Sequence, residues 1–104
     1  MYTLITKFVS SNEKEMCHEH WALSEYASDL GCLSAETFFD QKNNCYIQIQ
    51  SWPSKKYHDA LFDLSKWDFT SEAKELISEE LIELMQRMKT HYKMQVLHEL
   101  ENIL

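Results

Sequence analysis

The chain has 104 residues but only one glycine and one proline, where average usage would give roughly seven and five. Such sparse punctuation excludes a turn-rich β-sandwich or β-barrel and glycine-rich disordered classes, while 44% hydrophobic and 12% aromatic residues supply a real core. A net charge of −7 with a single arginine, Arg87, speaks for solubility and against clustered phosphate contacts, so nucleic acid is not an expected partner. The length predicts one domain over residues 1–104.

Residues 2–9 read as a strand rich in β-branched and aromatic types, with Tyr2, Leu4 and Phe8 on one face and Ile5 and Val9 on the other. Asn12 then has the character of a helix N-cap, with Glu15 as its capping-box partner. Met16, His20, Leu23, Ala27 and Leu30 follow as one helical stripe, and Gly31 stands where a left-handed residue closes a helix.

A second strand is predicted over Leu33–Phe39, a polar turn over 40–44, and a third strand over Cys45–Trp52 that Pro53 ends. Ser54 can cap a short helix over Lys55–Leu64, with Tyr57, Leu61 and Leu64 inward. After a break at 65–70, one long helix is expected over Ser71–Tyr92. Ala73, Ile77, Leu81, Leu84, Met88 and His91 form its inner stripe, and Leu76, Ile82 and Met85 widen it. A last strand covers Met94–Leu100.

The order is β-α-β-β-α(α)-β, an α+β ferredoxin-like βαββαβ arrangement. Helices on one face leave the other face bare, with Tyr2 or Ile5, Phe38 or Phe39, and Tyr46 with Trp52 expected there. So large an apolar patch predicts a homodimer joined through the sheets.

Two segments carry a resemblance. Gly31-Cys32-Leu33-Ser34-Ala35-Glu36-Thr37-Phe38-Phe39 is similar to the start of the second strand of antibiotic biosynthesis monooxygenase (ABM) domains. Ile47-Gln48-Ile49-Gln50-Ser51-Trp52-Pro53-Ser54-Lys55 resembles that family's strand, Trp-x-Ser-Lys and helix signature. The resemblance implies a dimeric α/β barrel with a substrate pocket between the sheet and its own helices. It also implies a choice of activities: cofactor-independent oxygenation of phenolic or quinol substrates, haem degradation, isomerisation of a signalling molecule, or none assigned. Haem-degrading relatives use an asparagine near the end of the first strand and a histidine on the helix after the third. Here Thr6 and Lys7 stand in that strand, and no histidine lies between His58 and His91. Oxygenase relatives often place a histidine or asparagine in the loop after the short helix, where this chain has Trp67 and Phe69. Trp67 carries over as a pocket-lining aromatic.

The titratable candidates are then weighed by position. His18 and His20 point about 200° apart on a helix and cannot share a metal there. His20 lies on the inner stripe, either as a satisfied half-buried residue or as an acid/base. His58 precedes Asp59, and adjacent helical residues do not face each other. His58 is therefore read as a surface residue or, alternatively, as a second candidate base. Histidine at position 91 suits a helix C-terminus, and His98 a dimer interface.

Trp67, Phe62, Phe69 and Trp21 are candidate walls for an aromatic or hydrophobic small molecule. Cys17, Cys32 and Cys45 show no CxxC pairing and read as reduced thiols, which with no visible signal peptide or membrane span predicts a cytoplasmic protein. No metal set, P-loop, dinucleotide fingerprint or serine-hydrolase elbow is present, so no cofactor is implied.

The leading expectation is an ABM-like protein, acting if catalytic as a small cofactor-independent monooxygenase on an aromatic, phenolic or quinol-type substrate. The alternatives are a non-catalytic binding or stress-response module of the same fold and, less favoured, haem binding or degradation.

Overall fold

The computed structural model describes residues 1–10 and 26–102. Strand β1 (Tyr2–Ser10) is followed, within the described residues, by helical residues 26–29 (α1), β2 (Ser34–Asp40) and β3 (Cys45–Trp52). Next come α2 (Lys55–Leu61), the short strands β4 (Phe62–Asp63) and β5 (Asp68–Phe69), α3 (Ser71–Leu76), α4 (Glu79–His91) and β6 (Tyr92–Glu101). The four long strands form an antiparallel sheet in the order β2-β3-β1-β6, and β4 and β5 form a separate two-stranded hairpin. This is the ferredoxin-like order the sequence predicts.

The single glycine stands where the sequence places it. Gly31 has φ +104°. Its N–H donates to Ser28 O at 3.1 Å and the Cys32 N–H to Ala27 O at 3.0 Å. These two bonds make a Schellman close. A side chain at Gly31 would run into the ring and hydroxyl of Tyr57, whose Oη donates to Leu30 O at 2.6 Å.

The helix side of the sheet follows the pleat. Tyr2, Leu4, Thr6 and Phe8 of β1 lie beside Trp52, Gln50, Gln48 and Tyr46 of β3, and all are buried. Tyr46 and Trp52 are thus core residues, not part of the bare face as the sequence suggests. Each of these large rings has helices to pack against, and Trp52 is completely enclosed. The open face instead carries Ile5, Val9, Phe38, Ile47, Ile49 and Leu100. The pairing of β1 with β6 shifts register between Ile5 and Thr6.

Further expectations change. The long helix is two: Ile77 is extended (φ −97°, ψ 164°), and the Ser78 side chain caps α4 by accepting from the Leu81 N–H. Leu76, read as widening the inner stripe, is 86% exposed, because the break ends that stripe. His91 is exposed at the end of α4 rather than on its inner stripe. Helix α2 stops at Leu61, three residues short, because 62–69 turn back as a hairpin. On α2, Tyr57 is half-exposed and His58 takes the inner position.

Candidate functional site

Pro53 ends β3 and Ser54 starts α2, its Oγ accepting from the Tyr57 N–H at 3.0 Å. The helix is pinned to β6 where the Lys55 N–H donates to Glu101 Oε2 at 2.7 Å. That placement turns His58 toward the sheet, where it is 1% exposed. Its ring stacks on Phe62 (centroids 5.2 Å, 18°) and meets Trp52 at 5.3 Å and Tyr2 at 5.2 Å. His58 is therefore not a surface residue. It also pairs with its neighbour, since Nδ1 lies 3.1 Å from Asp59 Oδ1. The one-turn argument against an Asp–His contact fails because side-chain rotation in a short end helix can bring adjacent polar tips together.

His58 lines one wall of a cavity between the helix-side face of the sheet and the helices. Thr6, Gln48 and Gln50 form the sheet wall, Phe62, Trp67 and Phe69 the hairpin wall, and Leu81, Met85 and Met88 the α4 wall. Of the aromatic residues singled out from the sequence, Trp67, Phe62 and Phe69 therefore reach this cavity. His20 and Trp21, the other candidate base and wall, lie outside the described residues. The enclosed volume is about 40 Å³. That holds little more than water, whereas an apolar cavity of about 150 Å³ is what admits benzene.

The sheet wall has an ordered polarity. Trp52 Nε1 donates to Gln50 Oε1 at 3.1 Å, and Gln50 Nε2 donates to Gln48 Oε1 at 2.9 Å. Sequence reasoning assigned neither glutamine to the site. The signal was there, since both share a parity with Tyr46 and Trp52, whose size demands burial.

Burial pushes the His58 pKa down, with Asp59 pulling the other way, so the ring is neutral at neutral pH. Asp59 is itself held low: burial would raise it, but hydrogen bonds from Lys55 and His58 outweigh that. The buried Tyr2 hydroxyl donates to Glu99 Oε1 at 2.5 Å, and burial with that contact pushes its pKa up.

Trp67 also lines the cavity. Its φ is +49°, a left-handed backbone that bulky residues rarely adopt. Two anchors flank it. Asp63 Oδ1 accepts from the Ser65 N–H and hydroxyl, and the Asp68 carboxylate accepts from Lys74 Nζ at 2.7 Å and the Phe69 N–H at 2.8 Å. The indole then stands edge-on to Phe8, centroids 6.2 Å apart. Among the described residues no group of three His, Cys, Asp or Glu side chains gathers as a metal set. Nor, among them, is any helix long and apolar enough to cross a membrane.

No protein-family profile and no curated protein matches the sequence. Solved structures do match the fold over its length. A crystal structure described as antibiotic biosynthesis monooxygenase is 17% identical, with TM-score 0.66 over 99% of both chains. Rv0793 from Mycobacterium tuberculosis is 12% identical, with TM-score 0.63 over 98% of this chain and 97% of that one. A protein of Deinococcus radiodurans, described as a putative antibiotic biosynthesis monooxygenase, is 11% identical, with TM-score 0.62 over 99% and 96%. At these identities the likeness is one of architecture, and the chain has the ABM-like ferredoxin fold.

Proposed function

We propose that the protein is a cofactor-independent monooxygenase of phenolic or quinol-type aromatics, working as a homodimer in the cytoplasm. The observation that carries this reading is a buried His58 on the wall of a largely apolar cavity that a row of side-chain amides also lines. His58 serves as the base that removes a proton from an acidified ring position. The glutamine row and Thr6 supply donors for the oxyanion that develops. Phe62, Phe69 and Trp67 line the site and keep water out. In such a reaction a ring CH2 becomes C=O. One atom of O2 enters the product and the other leaves as water with the two hydrogens, the substrate supplying all the electrons. His20 and Trp21 join this list as a second base and a wall, on their sequence positions alone.

The open sheet face supports the dimer, since Phe38 and Leu100 are 51% and 59% exposed there in the single chain. The free, buried thiols of Cys32 and Cys45 fit a reducing compartment. The small cavity favours a second reading, a non-catalytic binding module in which these side chains simply fill the core.

Oxygen consumption with a panel of anthrones, naphthols and quinols separates the two. Turnover that falls about 10²–10⁴-fold in His58→Ala supports the enzyme. No turnover with any of them, together with a ligand-induced rise in melting temperature, supports the module. Full turnover in His20→Ala removes that residue, and a haem titration without a Soret band disposes of haem chemistry.

A further inference from the structure

Among the described residues, Asp59 touches His58 without itself lining the cavity. Its two oxygens are divided: Oδ1 faces His58 Nδ1 at 3.1 Å, and Oδ2 takes Lys55 Nζ at 2.8 Å. Lys55 Nζ also stands 3.5 Å from Glu99 Oε1, the oxygen that accepts the Tyr2 hydroxyl. The Tyr2 ring in turn abuts the His58 ring. The histidine is thus met on one side by Asp59 and on another by the Tyr2 ring, with Lys55 and Glu99 linking the two. The titratable groups around it are Asp59 and Lys55 from α2, Glu99 from β6 and Tyr2 from β1.

We propose that Asp59 is a positioning residue for His58, fixing the imidazole in the Nδ1–H tautomer and leaving the Nε2 lone pair for the cavity. An ionised carboxylate only accepts hydrogen bonds, so a bond from Nδ1 to Asp59 requires the proton on Nδ1. A neutral histidine has one N–H, and Nε2 is then the basic nitrogen. Proton uptake at Nε2 makes an imidazolium beside a carboxylate already in place, with no rearrangement. Asp59 is half-exposed, so it does this without itself being buried as a lone charge. Lys55, held by Glu99, keeps the second oxygen occupied and the carboxylate in register with the ring.

This inference rests on the reading of His58 as the base, and its test is read on the ring itself. Long-range proton–nitrogen correlation spectra report the tautomer directly, with His58 assigned through contacts to the Tyr2 and Phe62 rings. At neutral pH the wild type is expected to show the Nδ1–H form. In Asp59→Ala the ratio of Nδ1–H to Nε2–H should fall about tenfold, the loss of one charge-assisted hydrogen bond. The same variant should lower the His58 pKa further. An Nε2–H ring in the wild type, or an unchanged ratio in Asp59→Ala, overturns the assignment. A tautomer shift in Asp59→Ala alongside unchanged turnover in His58→Ala leaves the positioning intact and removes the base. Turnover lost in His58→Ala with no tautomer shift in Asp59→Ala does the reverse.

Discussion

His58 is stripped of water by three aromatic rings, and that sets a pH dependence. Its folded pKa lies below the ordinary histidine value, burial being the larger cause and Asp59 opposing it. The unfolded chain therefore binds this proton more readily than the native state. The stabilisation is complete above about pH 6.5 and is lost as pH falls below that toward the folded pKa. Denaturation midpoints should fall between about pH 7.5 and about pH 5.5, and fall less in His58→Gln. Equal losses in the two proteins would mean that other groups cause the acid sensitivity. Gly31 makes a second residue-scale case. Gly31→Ala places a Cβ at positive φ, which costs about 1–2 kcal/mol, and drives it into Tyr57. A drop in unfolding free energy of at least that size is expected by urea titration. The need for Gly31 was legible in the sequence because a lone glycine after a helical stripe has few other uses. The burial of His58 was not, because seven residues of helix contain too little periodicity to say which side faces in.

The hairpin 62–69 shows what element-level pattern reading misses. Each strand is two residues long, too short for any alternation to register. The helix break at Ile77–Ser78 was hidden for a related reason. Apolar residues continue at helical spacing through it, and the Ser78 cap is visible only once Ile77 is seen to be extended. By contrast β1 follows from its β-branched and aromatic content, and β3 from its apolar run up to Pro53, almost to the residue. In the hairpin, Trp67 occupies a left-handed conformation that costs about 1–3 kcal/mol, and it closes a cavity too small for an aromatic ring. If Trp67 is the way in, relieving that strain should ease entry. Trp67→Asn, a residue tolerant of that backbone, should raise the association rate of a fluorescent aromatic probe in stopped-flow mixing. Its stability should stay within about 1–2 kcal/mol of wild type, because relief of strain offsets the lost contact with Phe8. An unchanged rate would place the way in elsewhere.

For the whole molecule, the two sides of one sheet are divided between two tasks. One side carries Gln48, Gln50 and Thr6 to the cavity, and the other carries Ile5, Ile47 and Ile49 outward. The pattern of alternation in β3 told the faces apart, but not which was inside, since a polar wall facing inward inverts the usual rule. If the outer side joins two copies, Ile49→Glu should weaken the dimer by on the order of 3 kcal/mol, more than a hundredfold in Kd. Sedimentation equilibrium would then find monomer where the wild type sediments as dimer. A wild type that is monomeric at high concentration would leave the sheet face without that role.

Strand β1 lies between β3 and β6, its residues paired with partners such as Trp52 and Glu101. Neither neighbour is close in the chain, so the first strand made is among the last to find its place. The sheet cannot close until β6 has arrived, and closing such long loops is the slow step in folding. Refolding on the order of milliseconds to seconds, slower than a helical bundle of this size, follows from the strand order alone. Until that moment the edge of β1 that carries Ile5 lacks its partner strand, so the interval before β6 docks is when this chain is most exposed to self-association.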